Sequence, residues 1–285
     1  MLISTEIDSY RRYGNNCEVI GMLRDAGFSA YDFSMFETND PKSIIVSDDY
    51  IAQAEHLRAF ADSIGIVCNQ SHAPFPTDLP DKPGFFDKMK KYLIRAIEIS
   101  DILGANYCVV HPCNYYDAET NAKLYNELLP ALRGRHVKVA LENMWLRAAD
   151  GRVIPAACSD PESFLSHLAV LDPQYFGACL DIGHSEMGGL NTSAPEMIHA
   201  LGSKLSCLHI HDNDKIGDSH ALPYTMAIDF GVVTDALAAV GYRGDITLEA
   251  DAASKNYPRE LLPALAALAA KTARYIKCEV ERKSR

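Results

Sequence analysis

Six acidic or histidine side chains follow successive short apolar runs of this 285-residue sequence, one for each run. They are His72, His111, Glu142, Asp181, His211 and Glu249, separated by 39, 31, 39, 30 and 38 residues. If these side chains converge, they repel and desolvate one another unless a cation compensates them. Glu, Asp and His suit Mn²⁺, Mg²⁺, Co²⁺ or Zn²⁺, and spacing does not choose among these ions. We therefore expect a divalent metal ion and no organic cofactor.

The hydrophobic pattern indicates the elements that position these side chains. Eight strand-length apolar runs lie at 2–4, 28–33, 66–69, 107–110, 137–141, 176–180, 205–210 and 245–248. Longer segments with helical spacing separate them, among them 48–64, 85–103 and 258–276. Eight strands alternating with about eight helices predict a (β/α)8 barrel, whose active site lies at the C-terminal ends of the strands. An open doubly wound sheet is the alternative, but no G-x-G-x-x-G follows the first strand.

Strand parity guides the choice of metal ligand on the seventh strand. His209 and His211 are two residues apart, so both side chains should point into the barrel. His211 is nearer the C-terminal mouth, so we expect it to bind the metal together with Glu142, Asp181 and Glu249. His209 is then expected one layer deeper, as a hydrogen-bonded histidine behind the ligands.

The rest of the chain fits one domain, 1–285, with a short charged C-terminal tail from about residue 279. The only Trp, Trp145, lies three residues after Glu142. It is expected either to form an apolar wall against a sugar face or to anchor its loop on the barrel rim.

Composition excludes several classes of protein. Hydrophobic residues make up 48% and charged residues 23%, as is usual for a globular chain. The net charge of −11 argues against a nucleic-acid partner, because phosphate binding requires clustered Lys and Arg. No apolar stretch of membrane-spanning length and no secretory signal occur, so we expect a cytoplasmic protein without membrane contact.

Four strings carry a resemblance to a known family. They are E-N at 142–143, C-L-D-I-G-H at 179–184, H-I-H-D-N-D at 209–214 and L-E at 248–249. Together they resemble the xylose isomerase-like barrels, which include sugar and sugar-phosphate isomerases and epimerases and the endonuclease IV group. The resemblance extends from about the second strand to the eighth. It departs at 223–229, where Tyr224 and Met226 stand in place of glycines that many of the sugar enzymes have.

The resemblance implies an isomerase or epimerase that acts on a sugar, a sugar phosphate or an inositol-type ketose. It is also compatible with a homo-oligomer. One divalent cation would be held by Glu142, Asp181, His211 and Glu249. Glu142 and Glu249 would also serve as the catalytic acid and base that move a proton on opposite faces of the substrate carbon. His184 would contact a substrate oxygen, and His72 and His111 would line the pocket.

A rival interpretation comes from the endonuclease IV group, whose members bind three zinc ions and cleave abasic DNA. The additional ligands in that group resemble His72, His111, His184, Asp218 and His220, all of which occur here in order. The negative net charge and the lack of that group's glycine pattern after the seventh strand count against this interpretation. A related dehydratase or other lyase, and a barrel that only binds a ligand, are further alternatives.

Overall fold

Short strands and longer helices alternate along the chain, of which the computed structural model describes residues 1–284. The ten strands among these residues are β1 (Ile3–Thr5), β2 (Ala30–Ser34), β3 (Val67–His72), β4 (Tyr107–Val109), β5 (Lys138–Glu142), β6 (Trp145–Arg147), β7 (Val153–Pro155), β8 (Phe176–Asp181), β9 (Leu205–His209) and β10 (Ile246–Leu248). All but β6 and β7 pair in parallel and correspond to the eight predicted runs, with ends shifted by a few residues.

Eight of these strands close into a barrel. Strands β2, β3, β4, β5, β8 and β9 form one sheet in that order, and β1 pairs with β10. Parallel bridges from Glu6 to Asp32 and from Ile210 to Leu248 join the two sheets at both edges. The first and last strands of the chain thus become neighbours, and the predicted (β/α)8 barrel is confirmed.

The helices pack around the barrel with one face buried. They are α1 (Asn16–Ala26), α2 (Tyr50–Ile64), α3 (Phe85–Leu103), α4 (Ala118–Asn126), α5 (Leu129–Leu132), α6 (Pro161–Ala169), α7 (Ile182–Ser185), α8 (Ala194–Leu201), α9 (Phe230–Ala239) and α10 (Leu262–Lys283). In α3 the apolar residues Met89, Leu93 and Ile97, which recur at helical spacing, are buried. Burying each such side chain contributes roughly 1.5–3 kcal/mol.

Two regions differ from the sequence-based expectation. Strands β6 and β7 form an antiparallel hairpin directly after β5, a feature that the apolar runs did not predict. Helix α10 continues to Lys283, so the expected charged tail from residue 279 is the last turn of a helix. Its Val280 is fully buried, and Lys283 donates hydrogen bonds to Gly231 O and Thr234 Oγ1, both at 2.9 Å.

None of the helices in residues 1–284 is both long and apolar enough to span a membrane.

Candidate active site

A cleft of about 530 Å³ opens at the C-terminal ends of the barrel strands. Its floor includes His72, His111, Glu142 and Glu249, while its rim comes from the loops that follow the strands. Because parallel strands bring their ends to one side of a barrel, residues far apart in sequence meet here.

Four side chains at the strand ends lie close enough to share one ion, and we call them the central group. They are Glu142, Asp181, His209 and Glu249, whose candidate ligand atoms all lie within 4.8 Å of one another. His209 Nδ1 is 3.3 Å from Glu142 Oε1 and 3.2 Å from Glu249 Oε2. All four residues are strongly buried.

The central group contains His209 in place of the expected His211. The register explains this difference, because Asp181 pairs directly with His209 and therefore lies at the same depth in the barrel. His211 is two residues further along and reaches the outer layer. Parity placed both side chains inside the barrel, but it did not determine which of them was level with the carboxylates.

Behind His209 lies a buried acid, Asp32, that the pattern of polar residues at the strand ends did not predict. The Nε2 of His209 faces Asp32 Oδ2 at 3.5 Å, and Gln70 Nε2 donates to the same oxygen at 2.8 Å. A carboxylate on the far nitrogen commonly orients a metal-binding histidine. The available signal was an acidic residue within the apolar run Ala-Tyr-Asp-Phe at 30–33.

A second set, the entrance group, consists of His72, His111 and Glu142. The two Nε2 atoms are 2.9 Å apart, and they lie 3.5 and 3.2 Å from Glu142 Oε2. His72 Nδ1 lies 2.7 Å from the carbonyl oxygen of Ala73. Because a carbonyl oxygen can only accept a hydrogen bond, Nδ1 carries a proton and donates it. The lone pair of His72 Nε2 therefore points toward His111 and Glu142, as a metal ligand requires.

A third set, the lateral group, consists of His184, His211, Asp218 and His220. Asp218 Oδ2 is 3.2 Å from Nε2 of both His184 and His220, and Asp218 Oδ1 is 3.4 Å from His211 Nε2. Each ring places its Nδ1 against a backbone carbonyl: Asn143 O at 2.9 Å, Asp212 O at 3.4 Å and Glu249 O at 2.9 Å. Three imidazoles are therefore held with Nε2 directed at one carboxylate. His211 Nε2 also lies 3.1 Å from Asp181 Oδ1, which links this group to the central group.

Several buried polar atoms in these groups have no hydrogen-bond partner among the described residues. They are Glu142 Oε2, Asp181 Oδ2, His209 Nδ1 and Nε2, His211 Nε2 and Asp218 Oδ1. A buried polar atom without a partner costs about 1–3 kcal/mol. Most of them converge on the centres of the three groups, and their chemistry is that of ligands for Zn²⁺ or Mn²⁺. The residues therefore fit a bound divalent cation.

Burial and neighbouring charges move the pKa values of the two glutamates in opposite directions. Burial raises the pKa of Glu249 well above its usual range, despite His209 and His220 beside it. Burial also acts to raise the pKa of Glu142, but His209 and His111 hold it well below its usual range. Burial lowers the pKa of His111 to about 4, although Glu142 beside it acts in the opposite direction.

The comparison with protein families agrees with this architecture. Residues 20–276 match the xylose isomerase-like TIM barrel family. The chain belongs to this family.

Relatives of this xylose isomerase-like barrel occur in bacteria and archaea. An uncharacterized protein of Sinorhizobium fredii is 32% identical over 266 residues, covering 81% of this chain and 79% of the relative. An uncharacterized protein of Methanocaldococcus jannaschii is 28% identical over 192 residues, and the match spans 62% of the length of each chain.

Solved structures show the same fold at low sequence identity. A D-tagatose 3-epimerase-like protein superposes with a TM-score of 0.72 at 21% identity, covering 99% of this chain and 98% of the other. The IolI protein with a bound zinc atom gives 0.74 at 17% identity, covering 99% of both chains. A family 2 AP endonuclease from Brucella melitensis gives 0.68 at 14% identity, covering 93% of this chain and 98% of the other.

The loops of this xylose isomerase-like barrel complete the cleft. Trp145 lines the cleft from hairpin strand β6, and its Nε1 donates to Asp218 Oδ2 at 3.3 Å. Asn143 braces β8 against β5, because its Oδ1 accepts from the Asp181 amide at 2.7 Å and its Nδ2 donates to the Asp181 carbonyl at 3.0 Å. Tyr224 adopts φ +71°, the left-handed conformation for which glycine is favoured.

Proposed function

We propose that this protein is a divalent-metal-dependent isomerase or epimerase of a sugar or a related polyhydroxy carbonyl compound. The central group carries this proposal, because two glutamates that line a substrate-sized cleft meet an aspartate and a histidine that are buried beside them. The names of two structural neighbours, a D-tagatose 3-epimerase-like protein and a zinc-binding IolI protein, support the same class of reaction.

The residues of the site would bind the cation, transfer a proton of the substrate and contact a substrate oxygen. Glu142, Asp181, His209 and Glu249 would hold the cation, in a revision of the ligand set expected from sequence. A bound divalent cation polarises a carbonyl and stabilises the negative charge left when the α-proton is removed. Glu142 and Glu249 are the acid and base that remove and return this proton, and His184, which lines the same cleft, would contact a substrate oxygen.

Hydrogen exchange tests the proposal directly. We expect Mn²⁺- or Co²⁺-loaded protein to exchange the α-proton of at least one ketose in deuterated water. The Glu249→Gln variant should remain folded, because the amide has the same shape, and should lose exchange by about 100-fold or more. The change is followed by NMR of the substrate, with circular dichroism to verify the fold.

Glu260→Gln provides the matched control, since this exposed glutamate lies outside the cleft and should leave the rate unchanged. If Glu249→Gln retained full exchange, the assignment of Glu249 as an acid or base would be wrong. A product that has lost water would instead favour the lyase alternative.

The three ligand groups also favour a second candidate, a trinuclear zinc phosphodiesterase. The entrance, central and lateral groups could each hold one ion, and clustered metal ions assist in-line displacement at phosphorus. Elemental analysis of protein purified without chelator separates the two functions. About one ion per chain supports the isomerase or epimerase, whereas about three zinc ions and cleavage of abasic DNA would support the phosphodiesterase.

A further inference from the structure

A line of hydrogen-bonded polar side chains runs through the barrel interior behind His209, and we call it the core chain. It consists of Ser4, Thr247, Gln70 and Asp32, none of which is more than 1% exposed. Ser4 Oγ donates to Thr247 Oγ1 at 2.8 Å, and Thr247 Oγ1 donates to Gln70 Oε1 at 3.1 Å. Gln70 Nε2 donates in turn to Asp32 Oδ2 at 2.8 Å. Polar groups are costly to bury unless their partners are correctly placed, so these contacts fix the four side chains.

The neighbours of Gln70 determine the orientation of its amide. The Nε2 atom faces two acceptors, Asp32 Oδ2 at 2.8 Å and the Leu208 carbonyl oxygen at 3.5 Å. Only the nitrogen of the amide can donate to these atoms, so Oε1 is left to accept from Thr247. Each hydrogen bond of the core chain therefore points toward Asp32, which ends the chain as an acceptor.

Asp32 passes this orientation on to His209. The same Oδ2 atom that accepts from Gln70 faces His209 Nε2 at 3.5 Å. Because a carboxylate only accepts hydrogen bonds, it favours a proton on Nε2 of His209. The lone pair of His209 Nδ1 is then directed at Glu142 and Glu249, as a cation ligand of the central group requires.

A β-bulge explains how Gln70 comes to face the interior. The register of β2 against β3 shifts immediately before Asp32, so that Asp32 pairs with Gln70 and Asn69 is skipped. Asn69 and Gln70 are consecutive, yet both contact Thr247 Oγ1, at 3.3 and 3.1 Å. In a regular strand these two side chains would point to opposite faces. Bulges re-aim side chains next to active sites, and this one directs Gln70 at Asp32.

We propose that Gln70 is a positioning residue of the cation site. It holds Asp32 against the far nitrogen of His209, so that His209 offers Nδ1 to a cation at the central group. The inference rests on the proposed function, because it assumes a cation at this group, but it assumes nothing about the substrate.

Two measurements test this role, and neither requires a substrate. Calorimetry gives the affinity of chelator-treated protein for the first equivalent of Zn²⁺. Nitrogen-15 NMR of the Zn²⁺-loaded protein shows which ring nitrogen of His209 carries the proton and how fast this proton exchanges with water. The His209→Gln spectrum identifies the signal. In the unaltered protein we expect a slowly exchanging proton on Nε2.

Gln70→Met keeps the length of the side chain and removes both groups of its amide. We expect it to weaken the first Zn²⁺ affinity by about tenfold and to speed exchange of the His209 Nε2 proton by about tenfold, because Asp32 loses its donor. Thr247→Val should weaken this affinity by about threefold, since it removes the hydroxyl that orients Gln70. Thr247→Ser keeps the hydroxyl and should retain the original affinity and exchange rate.

Ser71→Ala is the matched control. Ser71 follows Gln70 on β3 and is as deeply buried, but its Oγ lies 2.6 Å from Ser100 Oγ on α3, outside the core chain. It should change the affinity and the exchange rate by less than about twofold. Circular dichroism verifies the fold of each variant.

The inference is overturned if Gln70→Met matches Ser71→Ala in either measurement, or if His209 of the Zn²⁺-loaded protein carries its proton on Nδ1. If Gln70→Met does not fold, the two Thr247 variants decide, and equal values for Thr247→Val and Thr247→Ser overturn the inference. If the expected effects appear but no ketose exchanges its α-proton, the proposed reaction fails while the positioning role of Gln70 stands.

Discussion

At the scale of single residues, the site depends on how each imidazole is held. In the entrance and lateral groups the Nδ1 of His72, His184 and His220 lies within 2.9 Å of a backbone carbonyl, which leaves Nε2 free toward the group. His209 is reversed, because its Nε2 faces Asp32 and its Nδ1 faces the glutamates. This reversal brings His209 into the central group.

Separate substitutions of His209, the last residue of β9, and His211, which follows it, test the revised ligand set. We expect His209→Gln to weaken binding of the first equivalent of Mn²⁺ by about 100-fold, because it removes a ligand of the central group. His211→Gln should change this first affinity by less than about threefold, since His211 belongs to the lateral group. Calorimetric titration of the chelator-treated protein measures both affinities.

The reverse result, with the larger loss in His211→Gln, would restore the ligand set that the sequence alone predicted. The residue types at the strand ends were predictable, since polar residues after apolar runs stand out. The depth of each side chain was not, because it depends on register between strands that are far apart in sequence. Asp181 pairs with His209 only in the folded barrel.

At the scale of elements, helix α7 shows why a short turn matters to the site. A Cβ atom on Gly183 would lie 2.0 Å from His211 Cε1 and 2.3 Å from His211 Nε2. Gly183 is buried in this four-residue helix, and its carbonyl accepts from Asn213 Nδ2 at 2.8 Å. The glycine thus leaves room for the His211 ring against Asp181 and Asp218.

We expect Gly183→Ala to displace His211 and to destabilise the protein by about 1–3 kcal/mol through overpacking. Urea denaturation measures the loss, and a metal titration should show that the lateral group is weakened most. The control is Gly21→Ala in helix α1, where the nearest atom to the added Cβ is 3.8 Å away. That change should be neutral or stabilising by up to about 1 kcal/mol. Equal effects of the two substitutions would contradict this role for Gly183.

The elements themselves were largely predictable, and the exceptions have physical causes. Helix α3 matches the predicted 85–103, because its long apolar face has no competing pattern. The β6–β7 hairpin was missed because its two short strands are joined by a tight loop and do not follow the alternation of strand and helix that marks the barrel strands.

At the scale of the whole molecule, the barrel concentrates buried ionisable side chains that a cation would stabilise. The entrance, central and lateral groups together contain ten acidic or histidine residues near the end of one barrel. Without a metal ion, protons must compensate these groups, as the raised pKa of Glu249 from burial illustrates. A bound cation would replace those protons and satisfy the unpartnered oxygen and nitrogen atoms.

Metal binding should therefore stabilise the folded protein measurably. A ligand present at 100 times its Kd stabilises the native state by about 2.7 kcal/mol, which corresponds to a rise in Tm of roughly 4–5 °C for a chain of this size. We expect Mn²⁺, Co²⁺ or Zn²⁺ to produce this rise in chelator-treated protein, as measured by calorimetry. His209→Gln should reduce the rise, because part of the central group is lost, whereas Asp62→Asn on exposed α2 should not. If none of these ions changed the Tm at saturating concentration, protons alone would compensate the buried carboxylates, and a metal-dependent reaction at this site would have to be abandoned.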